Sequence, residues 1–208
     1  MKSTITDNQK VWFITGASTG LGPFLVKQAL EKGDRVVATF PGEVQPVDGL
    51  SDNPGPDAAG NFLPLAVDLI DEIDVEMAID QAIDRFGRLD VVVNNAGYRL
   101  AGEAKPAGTD GQRSWTLEEA RENFYLNVFG SLNVIQQALP HLREQHSGHI
   151  VNLSSIPGFL GSMAEEEAAS GIRVTHYSSL SSCNRTAGAA AVLRLVEGTP
   201  ILLPAGVS

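Results

Sequence analysis

The stretch Thr15-Gly16-Ala17-Ser18-Thr19-Gly20-Leu21-Gly22 has the composition of a phosphate cradle. It follows the apolar run Val11-Trp12-Phe13-Ile14 and opens a helical pattern. Glycines at 16, 20 and 22 let the backbone turn tightly and approach an anion. The N–H groups and dipole of a helix N-terminus favour negative charge at that point. A pyrophosphate is the group that such a strand, loop and helix receive. A purely structural βα turn would use the same glycines, but the strand before and the helix after favour the anion reading. A mononucleotide P-loop is disfavoured because no Gly-Lys-Ser/Thr follows.

The spacing is not Gly-x-Gly-x-x-Gly. It resembles the Thr-Gly-x-x-x-Gly-x-Gly loop of the short-chain dehydrogenases/reductases. The resemblance extends through Asp68 in Val67-Asp68-Leu69, Asn94-Asn95-Ala96-Gly97, Asn127 in Asn127-Val128-Phe129-Gly130, and Ile150-Val151-Asn152-Leu153-Ser154-Ser155. It implies an NAD(P)-dependent oxidoreductase that transfers hydride between the nicotinamide and a carbonyl or secondary alcohol. It places the pyrophosphate on Gly16, Ser18, Thr19, Gly20, Leu21 and Gly22, the adenine beside Asp68 and Leu69, and Asn95, Ala96 and Gly97 along the cleft. From the residues alone, Asp68 also suits a turn cap, and Asn94-Asn95 suit loop backbone.

The same resemblance implies a Tyr hydroxyl that exchanges a proton with the substrate oxygen, next to a Lys that lowers its pKa. An unperturbed phenol titrates near pH 10, so a neighbouring cation is needed for acid-base work near neutrality. Ser155 matches the serine that orients the substrate, and Asn127 the asparagine that supports the lysine through water. The family's Tyr-x-x-x-Lys belongs about a dozen residues past Ser155. That neighbourhood reads Met163-Ala164-Glu165-Glu166-Glu167-Ala168-Ala169-Ser170-Gly171, and the last lysine of the chain is Lys105. About two dozen residues, one helix with its connections, are expected to be missing near Ser162. Tyr177 is the only tyrosine after Ser155 and the one remaining candidate phenol, although a strand-end aromatic fits it as well. His176 is a candidate base beside it.

The end of the second strand usually separates NAD from NADP, because an acid there binds the ribose 2′-hydroxyl and excludes a phosphate. Thr39-Phe40-Pro41 supplies no acid, which leans toward NADP over NAD. Thr19 and Thr39-Phe40 also lack the basic residues that a 2′-phosphate would reward.

Strands and helices must alternate to position these groups. Strands are expected at 11–14, 35–40, 62–67, 89–93, 149–153 and 171–175. A helix over 21–32 carries Leu25, Ala29 and Leu30 inward, and Val75, Ile79, Ala82, Ile83 and Phe86 mark the inner face of a second. Thr116 and Glu119 form a capping-box pattern. From there Leu117, Ala120, Phe124, Val128, Leu132, Ile135, Leu139 and Leu142 predict one face of a long helix that Gly148 stops. Residues 41–60 read as a Pro- and Gly-rich surface loop. The fold expected is α/β, a Rossmann-type doubly wound parallel sheet in three layers, α/β/α. It forms a single dinucleotide-binding domain over 1–208, in which 1–162 follow the family and 163–208 are divergent or internally deleted. Without the expected helix, Ala187 to Val196 would either form a substitute, with Leu193 and Val196 inward, or leave an apolar patch that drives association.

Charge narrows the partners. The 208 residues carry 15 Lys and Arg against 25 Asp and Glu, a formal net charge of -10, which argues against nucleic acid and anionic membrane. A small carbonyl or alcohol substrate is the expected partner, with homo-oligomerisation open. Cys183, the only cysteine, excludes an intramolecular disulfide and a multi-Cys metal cluster. A polar N-terminus without an apolar leader, and no stretch long enough to span a bilayer, suggest the cytoplasm. The competing reading is a catalytically inactive nucleotide-binding relative, regulatory or truncated.

Overall fold

The computed structural model describes residues 9–18, 20–44, 60–97, 116–153, 167, 169–177 and 185–198. Six strands, β1 (Val11–Ile14), β2 (Arg35–Phe40), β3 (Phe62–Ala66), β4 (Val91–Asn94), β5 (Gly148–Leu153) and β6 (Ile172–Tyr177), form one sheet. All pairings are parallel, in the order β3-β2-β1-β4-β5-β6. A parallel sheet needs cover on both faces, which is why its central strands are continuous apolar runs. In β1, Val11, Phe13 and Ile14 are 0% exposed and Trp12 2%.

The pleat divides the core in two. Val11 and Phe13 point with Val37, Val92 and Ile150 toward α2 (Glu72–Phe86) and α4 (Ser131–Gln145). Trp12 and Ile14 point with Val36, Val93 and Val151 toward α1 (Gly22–Glu31) and α5 (Arg185–Glu197). Helices on both faces of a doubly wound sheet make the expected α/β/α sandwich. The strand order reverses between β1 and β4, and the carboxyl ends of these two strands bound the crevice where such sheets bind ligands.

Helix ends follow the sequence with two exceptions. Asp71 caps α2 by accepting from the N–H groups of Ile73 and Asp74, and Gly87 ends it in the left-handed conformation. Thr116 and Glu119 form the expected capping box on α3 (Leu117–Phe124). The long helix, however, is not continuous. A π-helical segment, Tyr125–Gly130, separates α3 from α4. The i→i+5 pattern winds more residues into each turn, so the apolar stripe loses register across it. Leu117 and Phe124, expected on the buried face, are 64% and 50% exposed, whereas Val134, Ile135, Ala138 and Leu142 are buried. The second exception is Gly148, which does not end the helix. His146 does so at φ 52°, and Gly148 opens β5, where a Cβ would stand 2.8 Å from Leu142 Cδ2.

Four strands differ from the expected bounds. β3 ends at Ala66 rather than Val67, β4 begins at Val91 rather than Leu89 and includes Asn94, β5 begins at Gly148 rather than His149, and β6 begins at Ile172 and runs on through His176 and Tyr177. The helix expected at 187–196 forms over Arg185–Glu197, with Ala189, Val192, Leu193 and Val196 buried at helical spacing. It packs with α1, on the face opposite α4. The Arg173 guanidinium donates to Val196 O at 2.9 Å, placing a cation at the negative end of α5.

Candidate active site

The cleft begins with the lacing between β1 and β4. Thr15 Oγ1 accepts from the N–H groups of Asn95 and Ala96, both at 3.0 Å, and donates to Val93 O at 3.3 Å. Asn95 Nδ2 in turn donates to the carbonyls of Thr15 and Gly16, each at 2.9 Å. Thr15 and Asn95 therefore satisfy the backbone of a bend that leaves both strands at once. Asn95 holds loop backbone, one of the two uses its sequence allowed.

The glycines answer specific demands of this bend. A Cβ on Gly16, at φ +67°, would stand 2.7 Å from Ala96 Cα. One on Gly22 would stand 2.2 Å from Gly16 O and 2.9 Å from Asn95 Nδ2, so Gly22 packs behind the loop. The Ala17 N–H donates to Thr39 O at 3.0 Å, which draws the loop against the end of β2.

These contacts open a cleft of about 1040 Å³. Its lining includes Gly16, Ser18, Gly20 and Leu21 on one side, Asp68 and Leu69 after β3, and Asn95, Ala96 and Gly97 after β4. Nine of the residues singled out by sequence thus share one wall system. Thr19 and Ser155 lie outside the described residues. Tyr177 is the last residue of β6, in register with Leu153.

A pyrophosphate fits the start of α1. Leu21 occupies its N-cap position with no side-chain hydrogen bond, and its first turn carries no acid. By contrast α2 and α3 each have a side-chain cap and two acids in the first turn. The N–H groups that open α1 therefore make no hydrogen bond to the N-cap side chain and face no acid within their own first turn.

Asp68 carries two roles. Its Oδ1 accepts from the Ile70 N–H at 3.0 Å, a local turn cap, while the residue also lines the cleft. Asn127 sits in the π-helical segment, and its Nδ2 donates to Asn123 Oδ1 at 3.0 Å. A Cβ on Gly97 would meet Asn127 Oδ1 at 2.7 Å, so the glycine lets the asparagine pack against the loop after β4, although Asn127 is not among the residues that line the cleft. π-helical turns of this kind cluster at functional sites.

The cleft is also lined by Thr39, Pro41 and Gly42 at the end of β2, of which the sequence sets Thr39 and Pro41 beside the ribose, and by Glu122, Tyr125 and Leu126 from α3 and the π-helical segment, which it passes over. The first three are implied by the Ala17 to Thr39 bond, which joins residues far apart in the chain. The others depend on the π-helical segment, which has no signature in hydrophobic spacing. The exposed Tyr125 and Phe124 both meet the Phe129 ring, at centroid distances of 5.5 and 5.9 Å, forming an aromatic rim beside the cleft. Among the described residues no group of three or more His, Cys, Asp or Glu is arranged to hold a metal, and no helix is long and apolar enough to cross a membrane.

Comparison with known proteins agrees with this geometry. The family model for short chain dehydrogenase matches residues 10–170. The oxidoreductase BOA17 of Botryotinia fuckeliana is 32% identical over 185 residues, covering 80% of this chain and 63% of that protein. The L-fucose dehydrogenase of Bos taurus is 34% identical over 156 residues, 73% of this chain and 51% of that protein. The chain thus spans between half and two thirds of the length of these relatives. Among solved structures, a short-chain dehydrogenase from Streptomyces avermitilis superposes with a TM-score of 0.70 at 26% identity, covering 91% of this chain and 85% of that one. A metagenomic short-chain oxidoreductase in complex with NADP shares the fold, with a TM-score of 0.72 at 23% identity over 90% of each chain. With its sheet order, its glycine loop and a family match extending from β1 almost to β6, this chain belongs to the short-chain dehydrogenase family.

Proposed function

We propose that the chain binds a nicotinamide dinucleotide, NADP or NAD, across the carboxyl ends of its sheet and acts as an oxidoreductase on a carbonyl or secondary alcohol. The observation that carries this reading is the cleft itself, which runs from the uncapped N-terminus of α1 past Asp68 to Asn95, Ala96 and Gly97. When bound, the nicotinamide supplies or accepts the hydride. The N–H groups at Leu21 and Gly22, with Gly16, Ser18 and Gly20, hold the pyrophosphate. Asp68 and Leu69 flank the adenine, and Asn95 keeps the cleft wall fixed through its bonds to Thr15 and Gly16. Ser155, two positions beyond the end of β5, orients the substrate oxygen, and Asn127, packed beside Gly97, supports proton transfer. Tyr177 or His176, at the end of β6, holds the proton that this oxygen gains or gives up.

A second reading, an inactive nucleotide-binding relative, is favoured by one specific observation. The sequence contains no Tyr-x-x-x-Lys, and no lysine follows Lys105. One experiment separates the two. NADH and NADPH are titrated into the purified chain by fluorescence, and cofactor oxidation is then followed with a panel of aldehydes and ketones. Turnover above the no-enzyme rate, abolished in Tyr177→Phe or His176→Ala, supports the oxidoreductase and identifies its acid. Binding with no turnover over the whole panel supports the inactive relative. No binding of either nucleotide would overturn both.

A further inference from the structure

We propose that Asn94 and Asn152 form a buried water site that ties the loop after β4 to the loop after β5 and so sets the spacing of two walls of the cleft. The two residues face each other in register, Asn94 as the last residue of β4 and Asn152 one before the last of β5. Each is 3% exposed, and neither lines the cleft. Strand alternation puts them on the same face as Val92 and Ile150, toward α2 and α4. Polar side chains in this apolar layer cost stability unless every donor and acceptor is met.

Asn94 Nδ2 donates to Asn152 Oδ1 at 2.8 Å. Asn94 Oδ1 and Asn152 Nδ2 are left over, both buried and without a partner among the described residues. Turning both amides over exchanges the atoms and leaves the same tally, one bond made with one acceptor and one donor in excess. No orientation therefore satisfies the pair from within. Water is the ligand that fits, since it donates to an acceptor and accepts from a donor, whereas a cation needs acceptors alone and an anion donors alone. The position of the pair gives this water a purpose. Asn94 is followed at once by Asn95, whose amide holds the bend through Thr15 and Gly16, and Asn152 stands three residues before Ser155. Asn94 with Asn152 is also the last registered pair between the two strands, so the hydrated amides are the tie nearest to where the loops diverge. Both are positioning residues. Their effect on nucleotide binding rests on the dinucleotide reading above, whereas the water site does not.

The test begins with a crystal structure of the intact chain, in which ordered water should lie within about 3.2 Å of the leftover donor and acceptor. A dry pair would overturn the proposal. Asn94→Leu combined with Asn152→Leu then removes both amides and their water. Because an apolar pair strands no buried polar group, the urea midpoint of this double variant should match or exceed that of the parent. NADH should nevertheless bind about tenfold more weakly, since the two loops lose their fixed spacing. Asn152→Leu alone, which strands the Asn94 amide, should lower the midpoint. A double variant less stable than this single one, or one that binds NADH as the parent does, would overturn the proposal. If the parent bound neither NADH nor NADPH, the dinucleotide reading would fall, and the crystallographic water would still decide the site.

Discussion

Gly97 stands so close to Asn127 that a Cβ on it would lie 2.7 Å from the asparagine's Oδ1. The contact joins the loop after β4 to the π-helical segment, two parts of the cleft that share no backbone hydrogen-bond ladder. Gly97→Ala should therefore push Asn127 off its position and weaken dinucleotide binding by about tenfold, since misplacement of a site group by a fraction of an ångström is enough. The check is a double-mutant cycle with Asn127→Ala. If crowding of Asn127 is the cause, adding Gly97→Ala to Asn127→Ala should cost far less than it does alone.

Thr15 makes a different kind of prediction, because its hydroxyl is the shared acceptor for two cleft-forming N–H groups. Thr15→Val keeps the shape and removes the acceptor, stranding the Ala96 N–H while the Asn95 N–H keeps Val93 O at 3.0 Å. The expected loss is about 1–3 kcal/mol, read as a lower urea midpoint with an unchanged slope. Thr15→Ser, which retains the hydroxyl, should recover most of it. A loss for Thr15→Ser with none for Thr15→Val would show that the methyl group, not the hydrogen bonds, matters.

The parts of this site that were legible in the sequence are those fixed by local chemistry. The glycines at 16, 20 and 22 sit between an apolar strand and a helix, and β1, β2 and the capped helices announce themselves by runs, periodicity and Thr116 with Glu119. What escaped depends on non-local geometry. The inward stripe drawn through Leu117 and Phe124 assumed one unbroken 3.6-residue period, and the π-helical segment at Tyr125–Gly130 rotates those residues outward while bringing Glu122 and Tyr125 to the cleft. Likewise Gly148 read as a helix stop, although His146 takes the left-handed position and Gly148 makes room for Leu142. Residues 178–208 matched no family pattern, yet Ala189, Val192, Leu193 and Val196 had the spacing of a helix, and a helix formed. A stripe of apolar residues does not specify which face of the sheet it covers.

His149 gives the fold a pH limit. It is 3% exposed, and its Nε2 lies 2.8 Å from Thr175 Oγ1 across β5 and β6. Burial first, and then the charges of Arg173 and Lys10, push its pKa down from 6.5 to about 4. The folded chain therefore holds it neutral where the unfolded chain already binds a proton. Its contribution is fully present above about pH 6.5 and is lost as the pH falls from there toward 4. The loss amounts to at most about 3.5 kcal/mol, from roughly 1.4 kcal/mol per pKa unit. Urea midpoints measured at several pH values should fall through this window, and the difference between the parent chain and His149→Gln should shrink as they do. A difference that stays constant from pH 7 to 4 would mean that the histidine does not titrate with unfolding.

The last prediction concerns α5, which lies in the stretch that departs from the family pattern. Leu193 is 3% exposed and shares a cluster with Trp12, Leu25, Val26 and Val91, so the helix closes the α1 face of the sheet. Removing its side chain leaves a cavity bounded by β-sheet and helix that cannot collapse, because Ala189 and Val192 on the same helix are already packed. Leu193→Ala should cost about 2–5 kcal/mol, the usual range for a buried leucine. The neighbouring Arg194 is exposed, and Arg194→Ala should stay within about 0.5 kcal/mol. The comparison controls for helix propensity, since both substitutions introduce alanine one position apart. Two small and equal losses would mean that α5 contributes little to the core, and the α1 face would then have to be covered by some other part of the molecule.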